Sequence, residues 1–217
     1  DAALDGMLSR VREICDKYGA KNKPLWNSEA GMGPNQSFFV GRNTAYGIFA
    51  GSGFNQRDPV PYQVGAAMMA RFALTHLWHN CRWYYYYCGG GYGNAWAMCD
   101  FSDFTPLPLA VAYAQTNRMM KGAVAAGRVK VDGGIFGFKY KVKKTYIAAF
   151  WAMKLKPGET RTIKWPAGKV IVNDMFCNNM PRKSDLVIGI SPIYFSGTKA
   201  DIESAIATMK VVSKIDA

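Results

Sequence analysis

The sequence predicts a chain of two textures: an α/β segment over residues 1–127, then an all-β module over 128–217. Three observations carry this expectation. Helix-periodic runs alternate with single strand-like runs up to residue 127, the order that parallel pairing requires. From Gly127 onward, short stretches of alternating polarity are separated by turn residues, as in an antiparallel sandwich. With 49% hydrophobic residues, the 217-residue chain can bury a sizeable core.

The first helix spans 4–19, where Leu4, Met7, Leu8, Val11, Ile14, Cys15 and Tyr18 recur at helical spacing. Gly19 is its stop. A strand follows in "KPLWNSE" (23–29), and a long glycine-rich loop occupies 30–58. Asp58 and Pro59 open a second long helix that ends in "THLWHN", and "RWYYYYC" (82–88) is the next strand. After the glycine loop "GGGYGNAW", a third helix is expected over 107–126. Strands this apolar are expected to be covered on both faces. In the second half, Asp132-Gly133-Gly134, Pro157-Gly158 and Pro166-Ala167-Gly168 mark turns between strands. The tail, 199–214, reads as weakly helical or loosely attached.

The formal charge of +12 is uneven: residues 1–127 hold 11 Lys/Arg against 8 Asp/Glu, and residues 128–183 hold 13 against 3. A basic sheet can attract a polyanion, or it can simply be a solvated face whose lysines blunt strand edges. No nucleic-acid motif accompanies the charge, and no apolar run is long enough to span a membrane, so neither partner is expected. Five cysteines at loose spacing fit neither a disulfide framework nor a zinc site; one bridge among Cys81, Cys88 and Cys99 stays open. His76 and His79 could share a metal on one helix, or could finish the helix end. No third ligand is in view, and no metal is expected. The glycine loop at 89–93 lacks dinucleotide spacing, and nucleophile-elbow and phosphate-loop motifs are missing, so no cofactor is expected.

In a parallel α/β layout, ligands bind beyond the carboxyl ends of strands. Glu29, one of four glutamates, closes the first strand, and Tyr86 and Tyr87 close the next. An aromatic ring packs on the C–H face of a sugar, while a carboxylate can attack or stabilise its anomeric carbon. The plainer alternatives are a strand-end ion pair and a tyrosine run that belongs to the core. Asn27 and Trp96 complete the candidate substrate contacts.

"KPLWNSEAGMG" resembles the seventh-strand motif of the retaining clan-A glycoside hydrolases: Lys-Pro, apolar residues, a polar residue, Glu and Gly. "RWYYYYC" resembles their eighth strand, and "TPLPLAVAYAQTNRMMKGA" the last helix of their (β/α)8 barrel. The later stretch, with Trp151, Asp174 and the closing Ser191-Pro192-Ile193-Tyr194 strand, resembles the appended β-sandwich. The resemblance implies the C-terminal strands and helices of an incomplete barrel over 1–127 and a sandwich over 128–217. Glu29 is then the nucleophile and Tyr86 the stacking platform, with an oligosaccharide, polysaccharide or glycoside as substrate. It also implies a secreted or periplasmic enzyme.

One departure matters. The family's acid/base follows an Asn-Glu pair, and the chain contains none. A full barrel takes about 250 residues. The resemblance therefore implies a missing N-terminal barrel half, in the same or a separate chain, that supplies the acid/base. The 217 residues alone should be inactive. The rival expectation is a non-catalytic carbohydrate- or polyanion-binding module carried by the basic sandwich.

Overall fold

The structure, a computed structural model, describes residues 2–21, 23–27, 62–83, 98, 104–153 and 159–215. The fold mixes helices with one short parallel sheet and two antiparallel sheets, and no closed barrel forms among the described residues. The chain divides into two compact units, 1–111 and 112–217.

In the first unit, α1 (Ala2–Lys17) leads into β1 (Leu25–Asn27), then α2 (Tyr62–Trp78) and β2 (Cys81–Trp83). The strands pair in parallel, Leu25 with Cys81, Trp26 with Arg82 and Asn27 with Trp83. Between residues 65 and 71, α2 is buried at every position. That is the pattern of a helix enclosed on all sides. Polar bonds join α1 to its surroundings. Arg12 donates from Nη1 to the Lys23 carbonyl at 2.8 Å and from Nη2 to the His79 carbonyl at 2.9 Å. Asp5 Oδ1 lies 2.8 Å from His79 Nε2, with both residues buried.

The expected cover on both faces of these strands is not met among the described residues. Leu25 and Asn27 are half-buried and Cys81 is buried, while Trp26, 56% exposed, and its partner Arg82 face the other way. Successive strand residues point to opposite faces, and only the face towards α2 is packed.

The helix α3 (Pro108–Met119) straddles the division between units. It is shorter than the sequence predicts. Gly122 sits at φ +76°, and Ala123–Val131 forms β3, paired with β4 (Ile135–Val142). Alanine favours helix intrinsically, but the ladder to β4 overrides that preference at Ala123 and Ala125, and Ala126 sits where the register shifts before Gly127.

The second unit holds two antiparallel sheets. The larger runs in the order β3-β4-β5-β9-β7, with β5 at Thr145–Ala152, β7 at Ile171–Asn173 and β9 at Ile193–Gly197. The smaller runs β10-β6-β8, with β6 at Thr160–Lys164, β8 at Asp185–Ile188 and β10 at Val211–Ile215. Val129, Ile135, Phe150 and Phe195 of the first meet Ile163, Leu186 and Ile188 of the second in one apolar cluster. β5 is central and buried on both faces from Ile147 onward. Its other face joins Trp151 to an aromatic row of Phe136, Phe138 and Tyr140. Here Thr116 of α3 hydrogen-bonds the Tyr194 hydroxyl at 3.1 Å. Burial drives that phenol well above its ordinary pKa. Gly137 is required by close approach: a Cβ there would lie 2.2 Å from the Ala149 carbonyl oxygen.

The tail is firmer than its sequence indicates. Helix α4 (Lys199–Thr208) begins at Thr198 with a reciprocal capping box to Asp201. The Thr198 bonds hold the Asp201 carboxyl below the usual carboxylate range. Ile202 and Ala205 bury themselves in the shared core, and β10 then pairs with β6.

Candidate functional site

The candidate site begins where β1 and β2 end. Because they are parallel and in register, Asn27 and Trp83 finish the pair side by side. In sequence, Glu29 follows Asn27 by two positions, and Tyr86 and Tyr87 follow Trp83 by three and four. Glu29, Tyr86, Tyr87 and Trp96 lie outside the described residues. Of the candidate contacts, Asn27 is described.

Asn27 is held by a buried histidine. Its Nδ2 lies 2.9 Å from Nε2 of His76, and Nδ1 of the same ring lies 2.9 Å from the Phe72 carbonyl oxygen, one helical turn back on α2. A carbonyl only accepts, so Nδ1 carries the proton and donates. Nε2 then has a lone pair and accepts from the asparagine amide. The Phe72 ring packs against the imidazole at 4.1 Å between centroids. Burial lowers the pKa of His76 to about 4; the Phe72 carbonyl opposes the shift, and nearby His79 adds to it. At neutral pH the ring is therefore uncharged, and its tautomer fixes the Asn27 amide with nitrogen towards the helix.

The two histidines of "THLWHN" thus have separate partners: His76 serves Asn27 and Phe72, while His79 meets Asp5. Among the described residues, no three His, Cys, Asp or Glu side chains gather as a metal centre would need. The thiols of Cys15, Cys81 and Cys177 are free. Burial raises the pKa of Cys81 and of Cys177, which keeps both thiols protonated and weakly nucleophilic.

The link between Asn27 and His76 was not foreseen from sequence. Its members are 49 residues apart, and each is of a type common at element ends. The i, i+3 histidine spacing drew attention to the right helix turn but carries no information about a strand residue far upstream.

Elsewhere the basic second half is largely solvated. Lys130, Lys141, Lys143, Lys144, Arg182 and Lys183 are exposed. Arg161 instead is buried against Glu159 and donates from Nε to the Gly133 carbonyl at 3.1 Å, beside the β3–β4 turn. No described helix is long and apolar enough to cross a membrane.

No family model and no curated protein matches the sequence. Solved structures do match the fold. One is a family 39 glycoside hydrolase from the gut symbiont Bacteroides cellulosilyticus, with a TM-score of 0.57 and 19% identity over 87% of this chain. Another is a family 30 subfamily 8 xylanase from Clostridium acetobutylicum, with a TM-score of 0.54 and 9% identity over 83% of this chain. The chain spans less than half of each, 37% of the first and 44% of the second. At these identities the likeness is one of fold alone, to part of each of these two glycoside hydrolase structures.

Proposed function

We propose that this chain is the C-terminal part of a retaining glycosidase. Residues 1–127 contribute strands and helices to a (β/α)8 barrel, and 128–217 form its accessory β-sandwich. Glu29 is the nucleophile, Tyr86 stacks on the sugar, and Tyr87, Trp96 and Asn27 complete the substrate contacts. The parallel, in-register pairing of β1 and β2 is the observation that carries the reading. It gives the two strands a common carboxyl edge, and the chain runs from that edge into Glu29 on one side and Tyr86 on the other. The fold likeness to glycoside hydrolases supports the same assignment.

A retaining enzyme needs two carboxyl groups about 5–5.5 Å apart, one attacking the anomeric carbon and one protonating the leaving oxygen. In this reading the chain supplies the attacker, and the preceding barrel half supplies the acid. The test is to express the reading frame extended upstream of Asp1 and measure glycoside hydrolysis and its stereochemistry. Hydrolysis with retention, abolished by Glu29→Gln, supports the assignment. Full activity in Glu29→Gln refutes it.

A further inference from the structure

Helix α1 has more apolar surface than its described contacts use. Met7, Val11, Ile14 and Tyr18 are 54%, 38%, 46% and 75% exposed. Their spacing of four, three and four residues places them on one stripe, three turns long. The inward face is a different one. Leu8 is buried there, and Asp5 and Arg12 bond to His79 at the end of α2. At about 100° per residue, the stripe lies roughly a third of a turn round the helix from that face. Beyond the stripe the surface turns polar, with the Arg10–Glu13 ion pair at 3.1 Å and Lys17 above the Tyr18 ring at 5.5 Å.

A helix needs one apolar face to join a core. A packed face of Leu8, Asp5 and Arg12 on one side and a bare apolar stripe on another fit a helix flanked by a neighbour on each side. α2 is the neighbour on one side. The family 39 enzyme of similar fold is matched over only 37% of its length, so its unmatched portion is longer than this entire chain's counterpart.

We infer that the Met7–Val11–Ile14–Tyr18 stripe is the seam at which an amphipathic helix of the preceding barrel half docks. This rests on the reading of the chain as part of a larger glycosidase, and it names where the two parts join. The occupant packs an apolar i, i+3, i+4 face along the stripe and turns its polar face to the Arg10–Glu13 edge.

The experiment mixes the purified 217-residue chain with the polypeptide encoded immediately upstream of Asp1 and measures binding by sedimentation and calorimetry. Val11→Glu/Ile14→Glu should weaken binding at least tenfold. Val187→Glu, at an exposed valine of the second unit, should leave it within twofold. The Val11→Glu/Ile14→Glu chain should by itself keep its circular dichroism and its Tm to within a few degrees. Unchanged binding overturns the inference, as does a gene with no coding sequence upstream of Asp1. A large fall in Tm of the isolated variant also overturns it, because the stripe would then already be covered within the chain. So does a self-associated wild-type chain made monomeric by the substitutions, which would make the occupant a second copy. A complex that forms through the stripe yet hydrolyses no glycoside keeps the seam and removes the glycosidase reading. Retained hydrolysis with a docking surface elsewhere does the reverse.

Discussion

The amide nitrogen of Asn27 lies 2.9 Å from Nε2 of His76, so the last described residue of β1 is bonded to the helix behind it through a neutral imidazole. The bond requires the lone pair on Nε2. Protonation removes that lone pair and leaves two donors facing each other.

Stability should consequently depend on pH through His76. Its pKa is about 4 when folded, against about 6.5 unperturbed. Between those values the unfolded chain holds more protons, so stability rises with pH across this window and falls as pH drops from about 6.5 to 4. The loss attributable to His76 should approach about 3 kcal/mol at the acid end. Urea unfolding at pH 7, 5.5 and 4.5 measures it. His76→Gln, which cannot titrate, should lessen the slope, and an NMR titration placing His76 near 6.5 would show the shift to be absent.

Asp5→Ala should destabilise the first unit by about 1–3 kcal/mol, because it removes the oxygen 2.8 Å from the buried His79 ring. Asp5→Asn should recover part of the loss, since an amide oxygen can still accept. Thermal unfolding of the three proteins tests this, and equal stability of Asp5→Ala and wild type would contradict it.

Gly137→Ala should be among the most damaging single-methyl changes in the second unit. The added carbon meets backbone oxygen and the Phe150 Cβ at 2.5 Å, neither of which can swing aside. A cost of at least about 1–3 kcal/mol is expected from overpacking. Hydrogen exchange across β4 and β5 should show faster opening there, and unaltered protection would count against the close approach.

Glu29 should be the residue labelled when the upstream-extended enzyme reacts with an activated fluoroglycoside, because a good leaving group lessens the need for acid assistance. Peptide mass mapping locates the label, and a label on another carboxylate removes Glu29 from the role.

The elements with strong periodicity were legible. α1 follows its apolar spacing, α2 forms where the sequence carries a nearly unbroken apolar run, and the antiparallel pattern after Gly127 appears as β4, β5, β6 and β9. The misreading at 120–126 arose because "KGAVAAG" has a helix-forming composition, and only its pairing partner over Lys139–Val142 reveals a strand. The tail was undervalued for the same reason. Its capping box is local, but the core that Ile202 joins is gathered from strands that reach from Phe195, just before the helix, back to Val129, about 70 positions upstream. At the candidate site, sequence indicated Asn27 and the His76 turn separately. Their bond depends on the crossover from β1 through α2, which no local pattern encodes.

Arg12 lies off the exposed stripe of α1, and its two terminal nitrogens hold the Lys23 carbonyl just before β1 and the His79 carbonyl just before β2. A guanidinium is a rigid fork and can grip two carbonyls at a fixed separation, which a lysine ammonium on a flexible stem cannot do. The amino ends of both strands are thereby levelled against one another by a single side chain on the helix preceding them. Arg12→Lys would leave the backbone ladder alone to resist a stagger between the strands. Any stagger would pass along them to the opposite end, so the relative height of Asn27 and Trp83 is governed in part from the far side of the sheet.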